Sequence, residues 1–408
     1  MIVLWNSCLL ENLNSKTKMI KNYLNINGYC NYNLINPKNR NLITLRELSE
    51  ILPSSIAQLE LSKDKEIEIP KEVLNIYSKF RPTPLFRARN FEKAIGTSCE
   101  IYIKDEGLTL TGNHKANSAY LIAYLCKKDK VKIITTETTG NWGIALAKAC
   151  KKFGLEAICF IDYDSHRKRP DRKSAMEKEG SKVIVVEQDS KHSDLLTLSA
   201  DAAIKYTKNL ENATYIFGSV YNYFIIPQSI IGLEAKEQLG KYPDIVVGSC
   251  GGGANLLGTS AAFIADKLDN KSDVDILSAE SEKCPILTRG KKGLYSIDNL
   301  NYFPLIETYG LDGLVNGEYI GGLGSTIVAS PVAEFHSRGI IKARTYNSEE
   351  ARKAAKLFYE SERKWVALES SYQLASVIDK ARENKKVILV NISSGNSDTQ
   401  FYGGNNEW

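Results

Sequence analysis

From residue 81 onward the chain alternates two hydrophobic rhythms. Short β-branched runs predict strands: EIYIK (100–104), KIITTE (132–137), AICFID (157–162), KVIVVE (182–187), DIVVGSC (244–250), DILSAE (275–280) and KVILVNIS (386–393). Stretches with helical spacing separate them, at 114–127, 141–153, 170–179, 193–207, 227–240, 254–268, 348–362 and 370–383. Such alternation predicts an α/β fold, a mostly parallel sheet covered by helices on both faces with right-handed crossovers. Earlier residues read differently. MIKNYLNINGYCNYNLINPKNRN is rich in Asn and Tyr with weak periodicity, so residues 1–75 are read as an irregular arm with a short helix at 45–60. The rhythm breaks again at 208–225, around YIFGSVYNYFIIP, where the chain would pass between two lobes. The expected division is an arm (1–75), an N-terminal lobe (76–225) and a C-terminal lobe (226–408).

In such sheets ligands bind beyond the carboxyl ends of strands, where loops open helices. The loop after DIVVGSC is Gly251-Gly252-Gly253-Ala254-Asn255. Its glycines let the backbone approach an anion, and the following helix directs free N–H groups and its positive dipole end there. The pattern is neither G-x-G-x-x-G nor the Walker loop. A plain tight turn would also use glycine, but three in succession cost chain entropy and favour a ligand. The loop after KIITTE, Glu137-Thr138-Thr139-Gly140-Asn141-Trp142, suits a smaller anion such as a carboxylate, although Thr138 or Thr139 could simply cap the helix. The loop after KVILVNIS, Ser393-Ser394-Gly395, decides nothing alone.

Composition narrows the class. With 408 residues, 43% hydrophobic and 25% charged, the chain has an ordinary globular profile. A net charge of +5 is spread along it without a basic, aromatic-interleaved stripe, so nucleic acid is not an expected partner. No window is apolar enough for a membrane span, and the N-terminus lacks a secretory pattern. Eight cysteines without a C-x-x-C pair, and four histidines, point to thiols in a reducing cytoplasm and to no metal site.

One lysine stands out. In TGNHKANSAY, Lys115 heads a segment almost without charge. A helix N-terminus and burial both disfavour the ammonium, which makes the amine nucleophilic. An exposed lysine would have no such consequence. A phosphate cradle, a carboxylate loop and an activated lysine together are what pyridoxal phosphate and an amino acid require.

The chain resembles the tryptophan synthase β family, in its longer-arm branch, within the fold-type II pyridoxal phosphate enzymes. The likeness runs from about residue 45 to the end, through IYIKDEGLTLTGNHKANSAY, TTETTGNWGIALA, FGSVYNYFIIPQ, GSCGGGANLLG, CPILTRG and ALESSYQLA. It implies two lobes with the cofactor between them. It implies Lys115 as the Schiff-base lysine, His114 against the phosphate, and Asn117, Gly251, Gly252, Gly253, Ala254 and Asn255 around the cofactor. Ala254 stands where the family usually has serine. Glu369 matches the acid beside the ring, and Ser394 the hydroxyl facing the pyridine nitrogen, with Ser393 an alternative. A hydroxyl there favours β-elimination over transamination. Thr138, Thr139, Gly140, Asn141 and Trp142 would hold the substrate carboxylate, and Glu137 would be the catalytic acid that activates the nucleophile.

Two departures surround the substrate. ETTGNWG is one residue shorter than the family's E-T-G-A-G-Q-W-G and resembles the T-S-G-N loop of cysteine synthases. Gly321-Gly322-Leu323-Gly324-Ser325-Thr326 replaces G-G-L-R-Y-H, removing an arginine and a histidine. The expected activity is β-replacement on serine or an activated serine through an aminoacrylate, with indole, a thiol or another small molecule as nucleophile. Alternatives are a β-eliminating deaminase, a threonine-synthase-like lyase, or a non-catalytic cofactor-binding partner. The resemblance also implies a cytoplasmic homodimer and leaves a monovalent cation open; an α-type partner is not evident.

Overall fold

The computed structural model describes residues 17–187, 195–313, 320–383 and 386–402. Cys8 and the first two positions of the helix expected at 193–207 lie outside them.

The arm is ordered. It contains β1 (Asn22–Leu24), β2 (Leu34–Ile35), β3 (Glu66–Glu68) and helices Leu45–Ser49, Ser54–Leu61 and Lys71–Tyr77. Pro53 divides the single helix expected at 45–60. The expectation of irregularity fails because the arm's apolar residues act as separate knobs between Asn-rich turns. Tyr23 is fully buried, its hydroxyl 2.7 Å from that of Tyr77. The Tyr77 hydroxyl donates to the Asn117 carbonyl at 2.6 Å. The arm therefore grips the helix that Lys115 opens.

Two sheets carry the rest. The smaller contains β6 (Ile133–Thr138), β7 (Glu156–Asp162), β8 (Lys182–Val186) and β9 (Ala213–Tyr215), in the order β8-β7-β6-β9 and parallel throughout. The larger contains β4 (Leu85–Arg87), β5 (Glu100–Asp105), β10 (Ile245–Ser249), β11 (Asp275–Ser281), β14 (Ile341–Tyr346) and β15 (Val387–Ile392). Its order is β14-β11-β10-β15-β5-β4, parallel except for the edge pair β4–β5. A third sheet joins β12 (Lys291–Tyr295) and β13 (Leu305–Gly310) to β2 of the arm. All seven strands expected from the sequence are present.

Sheet membership does not follow the expected division at 225. β4 and β5, assigned above to the N-terminal lobe, pair within the larger sheet, so the smaller sheet is built only from residues 133–215. The central strands are buried on both faces; every residue of β10 is buried, as parallel strands between helices require. Helices Asn141–Phe153, Ala254–Leu268 and Ser348–Glu362 coincide with their predicted ranges. One contiguous hydrophobic cluster joins the arm and both large sheets. No disulfide joins the seven described cysteines. Among the described residues no helix is long and apolar enough to cross a membrane.

Candidate active site

The carboxyl ends of β6, β10 and β15 converge on one cleft. Lys115, Glu137, Asn141, Gly252, Glu369 and Ser393 all face it.

Lys115 opens helix Lys115–Lys128, whose first N–H donates to the Asn113 side chain at 3.0 Å. Its Nζ lies 3.4 Å from His114 Nε2. Burial holds the Lys115 ammonium below the usual lysine range, Glu369 opposes this, and the Arg172 charge adds to it. His114 is held neutral, first by burial and then by the neighbouring ammonium. Its Nδ1 is 3.1 Å from Gln228 Oε1, while Gln228 Nε2 donates to Ser118 Oγ. The amide oxygen therefore faces the ring and receives Nδ1–H, which leaves the Nε2 lone pair toward Lys115.

The glycine loop has no room for side chains. A Cβ on Gly251 would lie 2.5 Å from the Gly322 carbonyl, and one on Gly252 only 1.8 Å from Ser219 Oγ. Gly253 has φ +97° and precedes the helix from Ala254, whose first N–H groups have no intrahelical acceptors. Asn255 holds the loop in shape: Oδ1 accepts the Ser249 N–H at 3.2 Å and Nδ2 donates to Asn391 at 2.8 Å. Bare backbone at a helix N-terminus, facing a half-buried amine across one cleft, fits a phosphate-bearing aldehyde cofactor.

Glu369 Oε1 accepts the Gly322 N–H at 2.6 Å. This fixes the carboxylate against the segment where the family's arginine and histidine are missing. Gly324 and Ser325 line the cleft there.

In the loop after β6, Thr138 Oγ1 accepts from both Gly140 N–H and Gly143 N–H at 2.9 Å. Those two donors are spent internally. Thr139 and Asn141 face the cleft, whereas Gly140 does not. Trp142 lines the cleft and donates from Nε1 to Thr136 at 2.7 Å. Glu137 is 3% exposed. Its Oε2 accepts from the Tyr215 hydroxyl and its Oε1 from the Gly218 N–H. Burial pushes its carboxyl up to about 7.

Two expectations are corrected. Asn117 does not line the cleft. Its Oδ1 accepts from Arg81 Nη2 at 2.8 Å and its Nδ2 donates to Glu106, within a buried ion cluster that includes Glu234 and Lys104. Two residues after Lys115, a helical side chain has turned to the opposite face. Ser394 also lies outside the cleft, against Gly112, while Ser393 lines it. Successive side chains of an extended segment alternate, so only one serine of the pair can face the ligand.

Sequence reasoning missed Gly218, Ser219 and Gln228. Their segment, FGSVYNYFIIPQ, breaks the strand–helix rhythm; it marks a passage between lobes and carries part of the family resemblance, but neither reading names a site residue in it. The Gly-Ser directly after β9 was the available signal, since a loop at a strand's carboxyl end is where ligands sit.

Comparison with known proteins gives a consistent result. The family model described as "Pyridoxal-phosphate dependent enzyme" matches residues 76–394. Tryptophan synthase beta chain 2 of Pyrococcus abyssi is 36% identical over 382 residues, spanning 88% of this chain and 87% of that protein. The corresponding protein of Aquifex aeolicus is 35% identical over 385 residues, spanning 88% and 89%. Among solved structures, a pyridoxal 5'-phosphate-dependent aspartate racemase superposes with a TM-score of 0.61 at 19% identity, covering 81% of this chain and 98% of that one. Serine racemase from Dictyostelium discoideum gives 0.60 at 19% identity, covering 80% and 96%. At such identity the structural likeness shows the fold.

Proposed function

Because the chain belongs to the pyridoxal-phosphate dependent enzyme family, as a tryptophan synthase β-like member of fold type II that uses pyridoxal 5'-phosphate, we propose that it catalyses β-replacement on serine or an activated serine. The observation that carries this reading is Glu137, a carboxyl raised to about 7 beside the carboxylate loop and in the same cleft as Lys115. An acid poised near neutrality suits proton transfer to and from an incoming nucleophile.

When bound, the cofactor supplies an electron sink for bonds at the substrate α-carbon. Lys115 would hold it covalently, and Gly251, Gly252, Gly253 and the N–H groups from Ala254 would hold its phosphate. Ser393 would meet the ring nitrogen with a neutral hydroxyl. Once the substrate amine has displaced it from that covalent bond, Lys115 Nζ, biased by burial toward the neutral amine, takes the α-proton. Neutral His114 keeps an acceptor toward that amine, and burial weakens it as a competing base. Thr139 and the helix start at Asn141 receive the carboxylate. Trp142, Phe217 and Phe224 line the cleft and give an apolar nucleophile a wall. After the β-substituent has left with its bonding pair, Glu137 takes the nucleophile's proton as the nucleophile's bond to the β-carbon forms.

A second reading has its own support. Both Glu137 oxygens already accept hydrogen bonds, from Tyr215 and Gly218. If they stay so engaged, water would take over after elimination and the enzyme would be a deaminase. The test is cofactor-loaded protein given L-serine, O-acetylserine or O-phosphoserine, with indole or a small thiol. A β-substituted alanine detected by mass spectrometry supports β-replacement. Keto acid and ammonia alone, with the nucleophile untouched, would overturn it for the deaminase.

A further inference from the structure

One carboxylate near the end of the described chain joins both sides of the cleft. Asp398 is 1% exposed. Its Oδ1 accepts from Arg169 Nη1 at 2.6 Å and Arg172 Nη2 at 3.3 Å. Its Oδ2 accepts the Leu368 N–H at 2.9 Å. Arg172 lies on helix Pro170–Lys178, which packs on the helix Asn141–Phe153 of the smaller-sheet side. Leu368 opens the helix whose second residue is Glu369, on the larger-sheet side.

The other end of Arg172 reaches the substrate loop. A Cβ on Gly140 would lie 2.3 Å from Arg172 Cδ and 2.9 Å from Cγ, and Gly140 has φ +131°. The arginine stem thus lies flat against a backbone conformation that only glycine adopts readily. Arg172 is 3% exposed, and its Nε has no hydrogen-bond partner among the described residues. A buried guanidinium held by one shared carboxylate is an exacting arrangement, since losing that carboxylate leaves buried charge uncompensated.

We propose that Asp398 is a positioning residue that sets the substrate-carboxylate loop against the Glu369 acid, with Arg172 as the strut that transmits its position to Gly140. This rests on the reading of the Thr138–Asn141 loop and of Glu369 given above. Asp398 touches neither substrate nor cofactor. It fixes where the loop's donors stand relative to the acid, so it governs amino-acid affinity more than cofactor capture.

The test uses Asp398→Asn, which keeps the volume but cannot accept from both sides, and Arg172→Met, which keeps the stem over Gly140 without the charge. In absorbance titrations of the cofactor-loaded proteins with L-serine, O-acetylserine and O-phosphoserine, each single change is expected to raise the half-saturating concentration at least tenfold. The double variant is expected to match the worse single within twofold, because both break the same link. Multiplying penalties, or no shift in either single, would overturn the proposal. Should Asp398→Asn fail to fold, Arg172→Met leaves the Arg169–Asp398 pair in place and carries the test. Hydrogen exchange on the cofactor-free proteins decides the link without any substrate. Segments 138–143 and 368–371 should both exchange faster in Asp398→Asn, and a response confined to one of them would overturn the link. If the unsubstituted protein answers none of the three amino acids, the functional reading fails, and the exchange experiment still judges Asp398.

Discussion

His114 Nε2 stands 3.4 Å from Lys115 Nζ, with its lone pair toward the amine because Gln228 takes the proton on Nδ1. Two adjacent residues at the head of one helix thus form a pair in which neither group favours charge. The imidazole lone pair toward the amine is a weakened base, because burial and the neighbouring ammonium disfavour its protonation.

The first prediction follows from the charges around that amine. In cofactor-free protein, competitive acylation against pH should give Lys115 a midpoint below the ordinary 10.5. Glu369 stabilises the ammonium and Arg172 opposes it. Glu369→Gln should therefore move the midpoint further down, and Arg172→Met should move it up. Movement of either variant in the opposite direction would contradict the arrangement.

Glu137 predicts a pH-dependent stability. Its carboxyl rises from the ordinary 4.5 to about 7 in the folded protein. Over this window the unfolded chain releases a proton that the folded chain keeps, so stability falls as pH rises. Urea unfolding of the cofactor-free protein at pH 4.5 and 7.5 should show Glu137→Gln losing less stability than the unsubstituted protein, by roughly 3 kcal/mol. Glu60 and Glu280, also raised to about 7 by burial, act equally in both proteins and cancel. Parallel pH profiles would show that Glu137 titrates normally.

The doubled serine gives a paired comparison. Ser393→Ala should shift the cofactor absorbance and lower activity at least tenfold, because it removes the hydroxyl in the cleft. Ser394→Ala should leave the spectrum unchanged and activity within about twofold. An exchange of these outcomes would restore the sequence-based choice.

The glycine loop predicts a steric effect with a built-in control. Gly252→Ala sets a methyl against Ser219 Oγ, 1.8 Å away, and should weaken cofactor retention at least tenfold in equilibrium dialysis. Ser219→Ala in the same protein should recover part of the loss. Gly154→Ala has open space but φ +71°, so it should cost about 1 kcal/mol of stability and leave cofactor affinity unchanged.

What was legible from the sequence follows from how local each signal is. The loops after β6 and β10 stand out in the sequence because hydroxylated residues and glycines cluster where a β-branched run ends and helical spacing begins. The helices from Asn141 and Ala254 were bounded for the same reason. Asn117 was misplaced because adjacency to Lys115 in sequence says nothing about which helix face it takes, and Arg81, which claims it, is remote in the chain. The Ser393–Ser394 choice depended on register, which one residue reverses. β14 escaped notice because it alternates as an edge strand with charged residues in IKARTY. The arm escaped because its buried tyrosines are specified by partners elsewhere and not by a repeat.

The placement of β5 also bears on how the protein is made. β4 borders it on one edge, but Ile101 pairs with Ile388 on the other, so β5 must wait for nearly the whole chain before its second neighbour exists. The smaller sheet draws on one continuous stretch and can assemble while translation proceeds. Truncation before residue 386 should therefore leave a nascent chain with one folded half and an unpaired edge. Such a chain would be a substrate for chaperones and a seed for aggregation, and the finished cleft would be among the last features to form.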